Sequence, residues 1–308
     1  MKLASFKIDG RRRTGIVPTG MEDKIYDASY LVGASDIVSV VDSRSGVLRD
    51  LADLDRRICE DALLRGNLAD IHDVELCPPV ERPGKIVCLA GNYRAHISES
   101  GYAEPGSHAH FTQQLFLKPA TSLIGDGAVI ELGGQNVKVG WETELAVVVG
   151  KRGRNVSEEN SYDHVFGYTV LNDLSERGLN SRIEDRHKRE MDPFCDWLAG
   201  KWFDGFAPCG PWILTKDEIP DPHNLEIRFY LNGELRQHGN TREMIFSIPE
   251  QIAYISSIMT LEPGDIISTG TPAGAGLGEK TTSLADGDVL VSEIEGIGKL
   301  TNKVRWVN

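Results

Sequence analysis

No stretch of the chain is apolar over the roughly 18 residues that a membrane-spanning helix requires, so a membrane partner is not expected. The N-terminus, MKLASFKIDGRRR, lacks an apolar stretch leading to a small-residue cleavage site, which argues against a secretory signal. A cytoplasmic location is the resulting expectation. Cysteine is scarce: Cys59, Cys77, Cys88, Cys195 and Cys209 are odd in number and form no C-x-x-C unit. Neither a disulfide framework nor a zinc site is indicated, and the thiols read as reduced, mostly core residues. Positive charge is also in deficit. A formal net charge of −13 repels phosphate backbones, so nucleic acid is not an expected partner, and the Arg11–Arg13 run reads as a solvated turn. Internal repeats and low-complexity tracts are missing too. What remains is an ordinary composition, 40% hydrophobic and 26% charged, in 308 residues. That is enough for one large core, or for a main domain with a smaller companion.

Residues 1 to about 40 alternate apolar and polar positions around Asp9-Gly10, a hairpin signal. Leu48, Leu51, Leu54, Ile58 and Ala62 then recur at threes and fours, which predicts a helix stopping at Gly66. CPPVERPG, from Cys77 to Gly84, holds three prolines and no periodicity. It marks a boundary between a small α+β unit, 1–77, and a main domain, 78–308. Beyond it the chain is mostly strands: KIVCLAG, ELAVVVG, HVFGYTVLND, a hairpin turning at Asn232-Gly233, and DIISTG and DVLVSEIEGIG after turn signals. One helix interrupts them, opened by a capping box at Ser247–Glu250, with Ile252, Ile255 and Met259 as its apolar stripe. The class is therefore α+β and β-rich, without the strand–helix alternation of a doubly wound fold.

The segment VGWETELAVVVG carries the first chemistry. Side chains alternate faces along a strand, so Glu142 and Glu144 share a face with Ala146 and Val148. The apolar run after them predicts burial on both faces, and paired buried anions are costly unless a cation or donors compensate them. A second strand, GYTVLND, ends in Asp173. Three carboxylates without a nearby Cys or His ligand suit a hard divalent ion, Mg²⁺ or Mn²⁺. Exposed strand faces also carry E-x-E pairs, and spacing alone leaves both readings open. In GNYRAHISESGY, His96 and Glu99 are three apart and share a face on one helical turn. A carboxylate on one ring nitrogen raises the basicity of the other, the wiring of a water-activating base, although such pairs also occur as surface helix contacts. GTPAGAGLGE does not satisfy G-x-G-x-x-G and no helical pattern follows it, which excludes a nucleotide loop.

NYRAHISE, LFLKP, WETELAVVVG, GYTVLNDLSER, GKWFDGFAPCGP and ISTGTPAG occur in the order seen in the fumarylacetoacetate hydrolase superfamily. Over about residues 83 to 305 the chain resembles members such as acylpyruvate hydrolases and 2-hydroxyhepta-2,4-diene-1,7-dioate isomerase-like proteins. The first segment resembles, less distinctly, a small N-terminal domain found in bacterial members. The resemblance implies a distorted β-sandwich roll, a divalent cation and a homodimer. It places Glu142, Glu144 and Asp173 as metal ligands and His96 and Glu99 as a base and its orienter on a mobile lid. Lys201 matches an active-site lysine. Arg177, Gln237 and Thr271 match polar positions of the substrate pocket, and Lys118 matches either such a position or a structural lysine at a strand end. Asn180 stands where many members have Gln, one methylene longer, and the segment from Arg182 to Trp197 is unusually charged.

The implied substrate is a small 2-oxo acid. In the first reading a 2,4-dioxo acid, of acylpyruvate or 2,4-dioxo-3-deoxy sugar-acid type, loses a C–C bond to water through a metal-stabilised enolate. Tautomerisation or decarboxylation of a 2-oxo diacid would use the same enolate. A non-catalytic binding protein on this scaffold is signalled by loss of a metal carboxylate or of the lysine, and all four residues are present.

Overall fold

The computed structural model describes residues 1–32, 37–41, 46–99, 110–134, 138–179, 185–275 and 283–307. Two large sheets organise the chain. The longer places the strand Thr143–Val149 near its middle, antiparallel to Val165–Asn172 on one side and to Ile266–Ser268 on the other. Past Val165–Asn172 the sheet continues through Ala207–Thr215 to Lys2–Ile8, Arg11–Val17 and Lys24–Asp27. Past Ile266–Ser268 it continues through Ile86–Ala90, its parallel neighbour, to Gln114–Lys118. The second sheet runs in the order Glu234–Asn240, Glu226–Leu231, Val289–Ile294, Gly298–Val307, Val129–Gly133.

Why the two sheets meet at Thr143–Val149 follows from its composition. A strand covered on both faces needs apolar residues at consecutive positions, not alternate ones. Leu145, Val147 and Val149 join Tyr168, Val170, Ile227, Ile294 and Leu300 in the core shared with the second sheet. Ala146 and Val148 point the other way, into a cluster with Leu51, Leu54 and Ile58 of the Val47–Glu60 helix. The expected strand-rich α+β architecture is therefore the one formed. Lys2 and Leu3 pair with Leu214 and Ile213, so the N-terminal strands extend the long sheet. The division proposed between residues 77 and 78 thus separates segments that share a sheet and a core.

Local chemistry explains the departures. Asp9 and Gly10 both take positive φ, 50° and 71°, the turn that a two-residue hairpin requires. Arg11–Arg13 are strand, not turn: they pair with Ile8, Lys7 and Phe6, and Arg12 and Arg13 meet Glu81 and Asp27. The helix expected to reach Gly66 breaks at Asp61, whose side chain accepts the Leu63 N–H at 2.8 Å and restarts the chain as a separate turn, Ala62–Arg65. The Asn232-Gly233 hairpin forms, with φ of 53° and 82°. All five cysteines are free. Among the described residues no helix is long and apolar enough to cross a membrane.

The helix Ile248–Ile258 opens with the expected capping box, Ser247 with Glu250. Its first N–H has an unforeseen acceptor: Ile248 N–H donates to His223 Nε2 at 2.9 Å. Only an unprotonated nitrogen can accept. Burial holds the His223 ring below its ordinary 6.5, against the pull of Asp221 and Glu250. A histidine with a lower pKa folded than unfolded adds stability above the unfolded value, and that stability is lost as pH falls through the folded value. His223→Gln keeps an acceptor that does not titrate. Its denaturation midpoint should therefore fall less than the wild-type midpoint between about pH 7.5 and about pH 5.5, and identical slopes would contradict the capping role.

Candidate metal and active site

Glu142 precedes the strand Thr143–Val149 and Glu144 lies within it, so the two-residue period turns both onto the face of Ala146 and Val148. The neighbouring strand ends at Asn172, opposite Thr143, and the next residue is Asp173. Asp173 N–H donates to the Glu142 carbonyl at 2.7 Å, which holds the two acids side by side. One oxygen from each of Glu142, Glu144 and Asp173 lies within 4.8 Å of the others. They are 6%, 1% and 0% exposed, so bulk water does not neutralise them.

Two buried lysines and one partly buried arginine answer the charge. Lys201 Nζ donates to Glu142 Oε2 and to Asp173 Oδ2, both at 2.7 Å. Lys118 Nζ donates to Asp173 Oδ1 at 2.6 Å and to the Leu174 carbonyl at 3.2 Å. Arg177 Nη2 donates to Glu142 Oε1. Among the described residues no cation pairs with Glu144; its Oε2 accepts the Ser268 hydroxyl at 2.6 Å and the Gly270 N–H at 2.8 Å. The proton affinities divide accordingly. Burial alone would raise Glu142, but Lys201 and Arg177 hold it well below the carboxylate range. Glu144 is pushed up to about 8 by burial, then by the Asp173 and Glu142 charges. Lys201 is raised: burial works against its charge, and Asp173 and Glu142 outweigh it.

This donor set fits a hard divalent cation. Every available donor is a carboxylate oxygen, the ligand type such ions prefer. Cys88 offers no competing thiolate, because burial and the Asp173 and Glu144 charges push its thiol well up. Lys201 bridging two of the acids shows that the cavity favours positive charge at that position.

The remaining expected residues fall into two groups. His96 and Glu99 share the short helix Arg94–Glu99, with Nδ1 3.8 Å from Glu99 Oε2, longer than a direct hydrogen bond. Glu99 Oε2 instead accepts the Gly274 N–H at 2.8 Å. Burial would raise its carboxyl, but His96 and that N–H lower it, so it stays ionised. Arg177 borders the carboxylates, and its buried Nε–H has no acceptor among the described residues. Gln237 and Thr271 are buried and bonded to each other, not open to a cavity. Lys118 is likewise enclosed, on Asp173. Asn180 lies outside the described residues, as does the start of the charged segment. Further along that segment Arg186 and Arg189 pair with Asp192, and Arg186 with Asp196.

Sequence reasoning missed Ser268, Gly270 and two aromatics. Lys201 Nζ lies 5.1 Å from the Phe116 ring and 5.9 Å from the Trp197 ring, which wall off its charge. Ser268 and Gly270 stand beside Thr271 in ISTGT, where alternation could have flagged Ser268 as sharing a face with Gly270.

The chain is similar in sequence and in fold to known proteins. The profile described as Fumarylacetoacetate (FAA) hydrolase C-terminal matches residues 85–305. The mitochondrial oxaloacetate tautomerase FAHD2A of Homo sapiens is 40% identical over 233 residues, 75% of this chain and 70% of that protein. Among solved structures, a fumarylacetoacetate hydrolase from Exiguobacterium antarcticum superposes with a TM-score of 0.79 at 32% identity, covering all of both chains. Maleylpyruvate hydrolase from Sphingobium sp. SYK-6, in complex with manganese(II) and pyruvate, gives 0.73 at 34% identity, again over both chains entire.

The ion-free cluster has a pH signature. Glu144 is protonated in the folded chain up to about 8 but ionised above 4.5 when unfolded. Folding therefore takes up a proton in that window, and stability declines as pH rises through it. A bound divalent ion displaces the proton and removes the decline. The gap in melting temperature between Mn²⁺-loaded and chelator-treated protein should widen from about pH 6 to about pH 8.5. In Glu144→Gln it should be small and flat. A gap independent of pH in the wild type would contradict the assignment.

Proposed function

The chain belongs to the fumarylacetoacetate hydrolase family, and from that premise we propose that it is a divalent-metal-dependent hydrolase cleaving a carbon–carbon bond in a 2,4-dioxo acid. Glu142, Glu144 and Asp173 would hold Mg²⁺ or Mn²⁺. The observation that carries the reading is Lys201, an ammonium buried between two of those acids and walled by two aromatic rings. When bound, the cation supplies Lewis-acid stabilisation of negative charge on the oxygens of a 2-oxo acid.

The chain's own residues account for the rest. Arg177 is fixed through Nη2 on Glu142, and its free Nε–H is a directed donor for a substrate carboxylate. His96 takes a proton from water at a ring nitrogen, and the water oxygen adds to the distal carbonyl. Glu99, ionised and anchored on Gly274, compensates the imidazolium that forms. The bond between the distal carbonyl carbon and its neighbour breaks, and its electron pair becomes the enolate of the 2-oxo acid. Lys201 Nζ donates toward that developing charge, where a fixed donor is most effective. Protonation on carbon completes the reaction: one water is consumed, and one carboxylic acid and one 2-oxo acid leave. A homodimer, supported by the family resemblance, and a cytoplasmic location belong to the same reading.

A second reading, tautomerisation of a 2-oxo diacid, is favoured by the 40% identity to an oxaloacetate tautomerase. It needs proton transfer alone, from oxygen to carbon, with no water consumed. Mass spectrometry of products from a panel of 2,4-dioxo acids and 2-oxo diacids in ¹⁸O-labelled water separates the two. Hydrolysis places label in the released carboxylic acid, and His96→Ala should slow it by about 10²–10⁴-fold. Unlabelled products with accelerated enol–keto exchange would replace the first reading by the second.

A further inference from the structure

The carboxylate strand has an unusual second edge. On the side of Ile266–Ser268 the ladder pairs Ala146, Val147 and Val148, and Thr269 N–H then reaches the Leu145 carbonyl at 3.0 Å. Beyond that point the chain peels away, yet Thr143, between the two glutamates, is still bonded on both of its backbone groups. Its N–H donates to Gln237 Oε1 at 3.0 Å, and its carbonyl accepts the Thr271 hydroxyl at 2.9 Å. Gln237 Nε2 closes the ring, donating to Thr271 Oγ1 and to the Pro272 carbonyl, both at 2.9 Å. Two side chains stand in for the missing strand.

Gln237 is built into this place. In an unbroken strand Leu235 and Gln237 would share a face, but Leu235 is 48% exposed and Gln237 1%. A bulge reverses the parity: Phe229 faces Gln237 and Tyr230 faces Leu235, leaving Arg236 as the extra residue. The loop it clamps packs so closely that a Cβ on Gly239 would lie 2.5 Å from Pro272 Cβ, and one on Gly274 2.2 Å from the Arg236 carbonyl. Both donors and the acceptor of the amide are committed to the protein, which leaves little for a substrate.

Resting on the metal-site reading above, we infer that Gln237 is a positioning residue that fixes the backbone between Glu142 and Glu144, so that metal affinity, not substrate contact, is what it sets. The measurement is Mn²⁺ binding without substrate, read from the electron paramagnetic resonance signal of the free ion, with amide hydrogen exchange over residues 141–149. In Gln237→Leu the Kd for Mn²⁺ should rise about 10–100-fold, and protection at Thr143 should drop. Gln237→Glu keeps the acceptor for Thr143 but loses both donors, and should weaken binding too while preserving the shape of the side chain. Asn302→Leu is the control: it removes an equally buried amide that donates to the Gly125 and Ala128 carbonyls, and should leave the Mn²⁺ Kd within about twofold of wild type. Unchanged Mn²⁺ affinity in both Gln237 variants, with KM raised, would overturn the inference in favour of substrate contact. An equal loss in Asn302→Leu would reduce the effect to general destabilisation and overturn it as well. Wild-type protein that takes up no Mn²⁺ would overturn the carboxylate reading itself.

Discussion

Three buried carboxylates with oxygens within 4.8 Å of one another are hard to tolerate, and much of the molecule can be understood as what makes them tolerable. Placing them at the end of a strand covered on both faces excludes water. That exclusion would empty the site of charge if nothing opposed it. Lys118, Lys201 and Arg177 oppose it for Glu142 and Asp173, while Glu144 is left with neutral donors and a raised proton affinity. The compensation is thus uneven: cations pair Glu142 and Asp173, and Glu144 is the acid left short of ionisation. A doubly charged ion would supply the positive charge that Glu144 lacks.

The sheet topology serves that balance. Neighbouring strands bring in Asp173 and Ser268, and the turn after Ser268 supplies the Gly270 N–H. The same departing chain reaches the second sheet through Thr271 and Pro272, and the helix Arg94–Glu99 through Gly274. Trp141 adds another tie, its indole N–H donating to the Gly274 carbonyl at 3.0 Å while its ring stacks on Phe229. The peptide groups of Gly274 therefore join the residue before Glu142 to Glu99 on the helix that carries His96. The candidate ligands and the candidate base are attached to one loop.

Legibility in the sequence followed the range of the forces involved. The shared face of Glu142 and Glu144, the burial of the run after them and the capping box at Ser247 are set by residues a few positions apart, and these could be read directly. The break at Asp61 was equally local but hidden, because an apolar period continued through it. What composition could not give was non-local pairing: that Asp173 faces the glutamates, that Lys201 bridges two acids, that Ser268 serves Glu144. Family resemblance supplied the first, placed Lys201 in the active site without its bridge, and passed over the third. Gln237 and Thr271 were assigned by resemblance to a substrate pocket, whereas their bonds run to the backbone of Thr143; the bulge that turns Gln237 inward leaves only an inverted parity, Leu out and Gln in, as its sequence trace. His96 and Glu99 share a helical turn as their spacing implied, but spacing does not reveal that Glu99 is held by Gly274 at 2.8 Å and lies 3.8 Å from the ring.

The proposed chemistry requires the three acids to act together as one ion's ligands. Anomalous diffraction from a crystal grown with Mn²⁺ tests this most directly. It should show a single strong peak about 2.1 Å from oxygens of Glu142, Glu144 and Asp173, with Lys201 Nζ moved off at least one of them. A peak elsewhere, or no peak with the Lys201 bridge intact at saturating Mn²⁺, would contradict it.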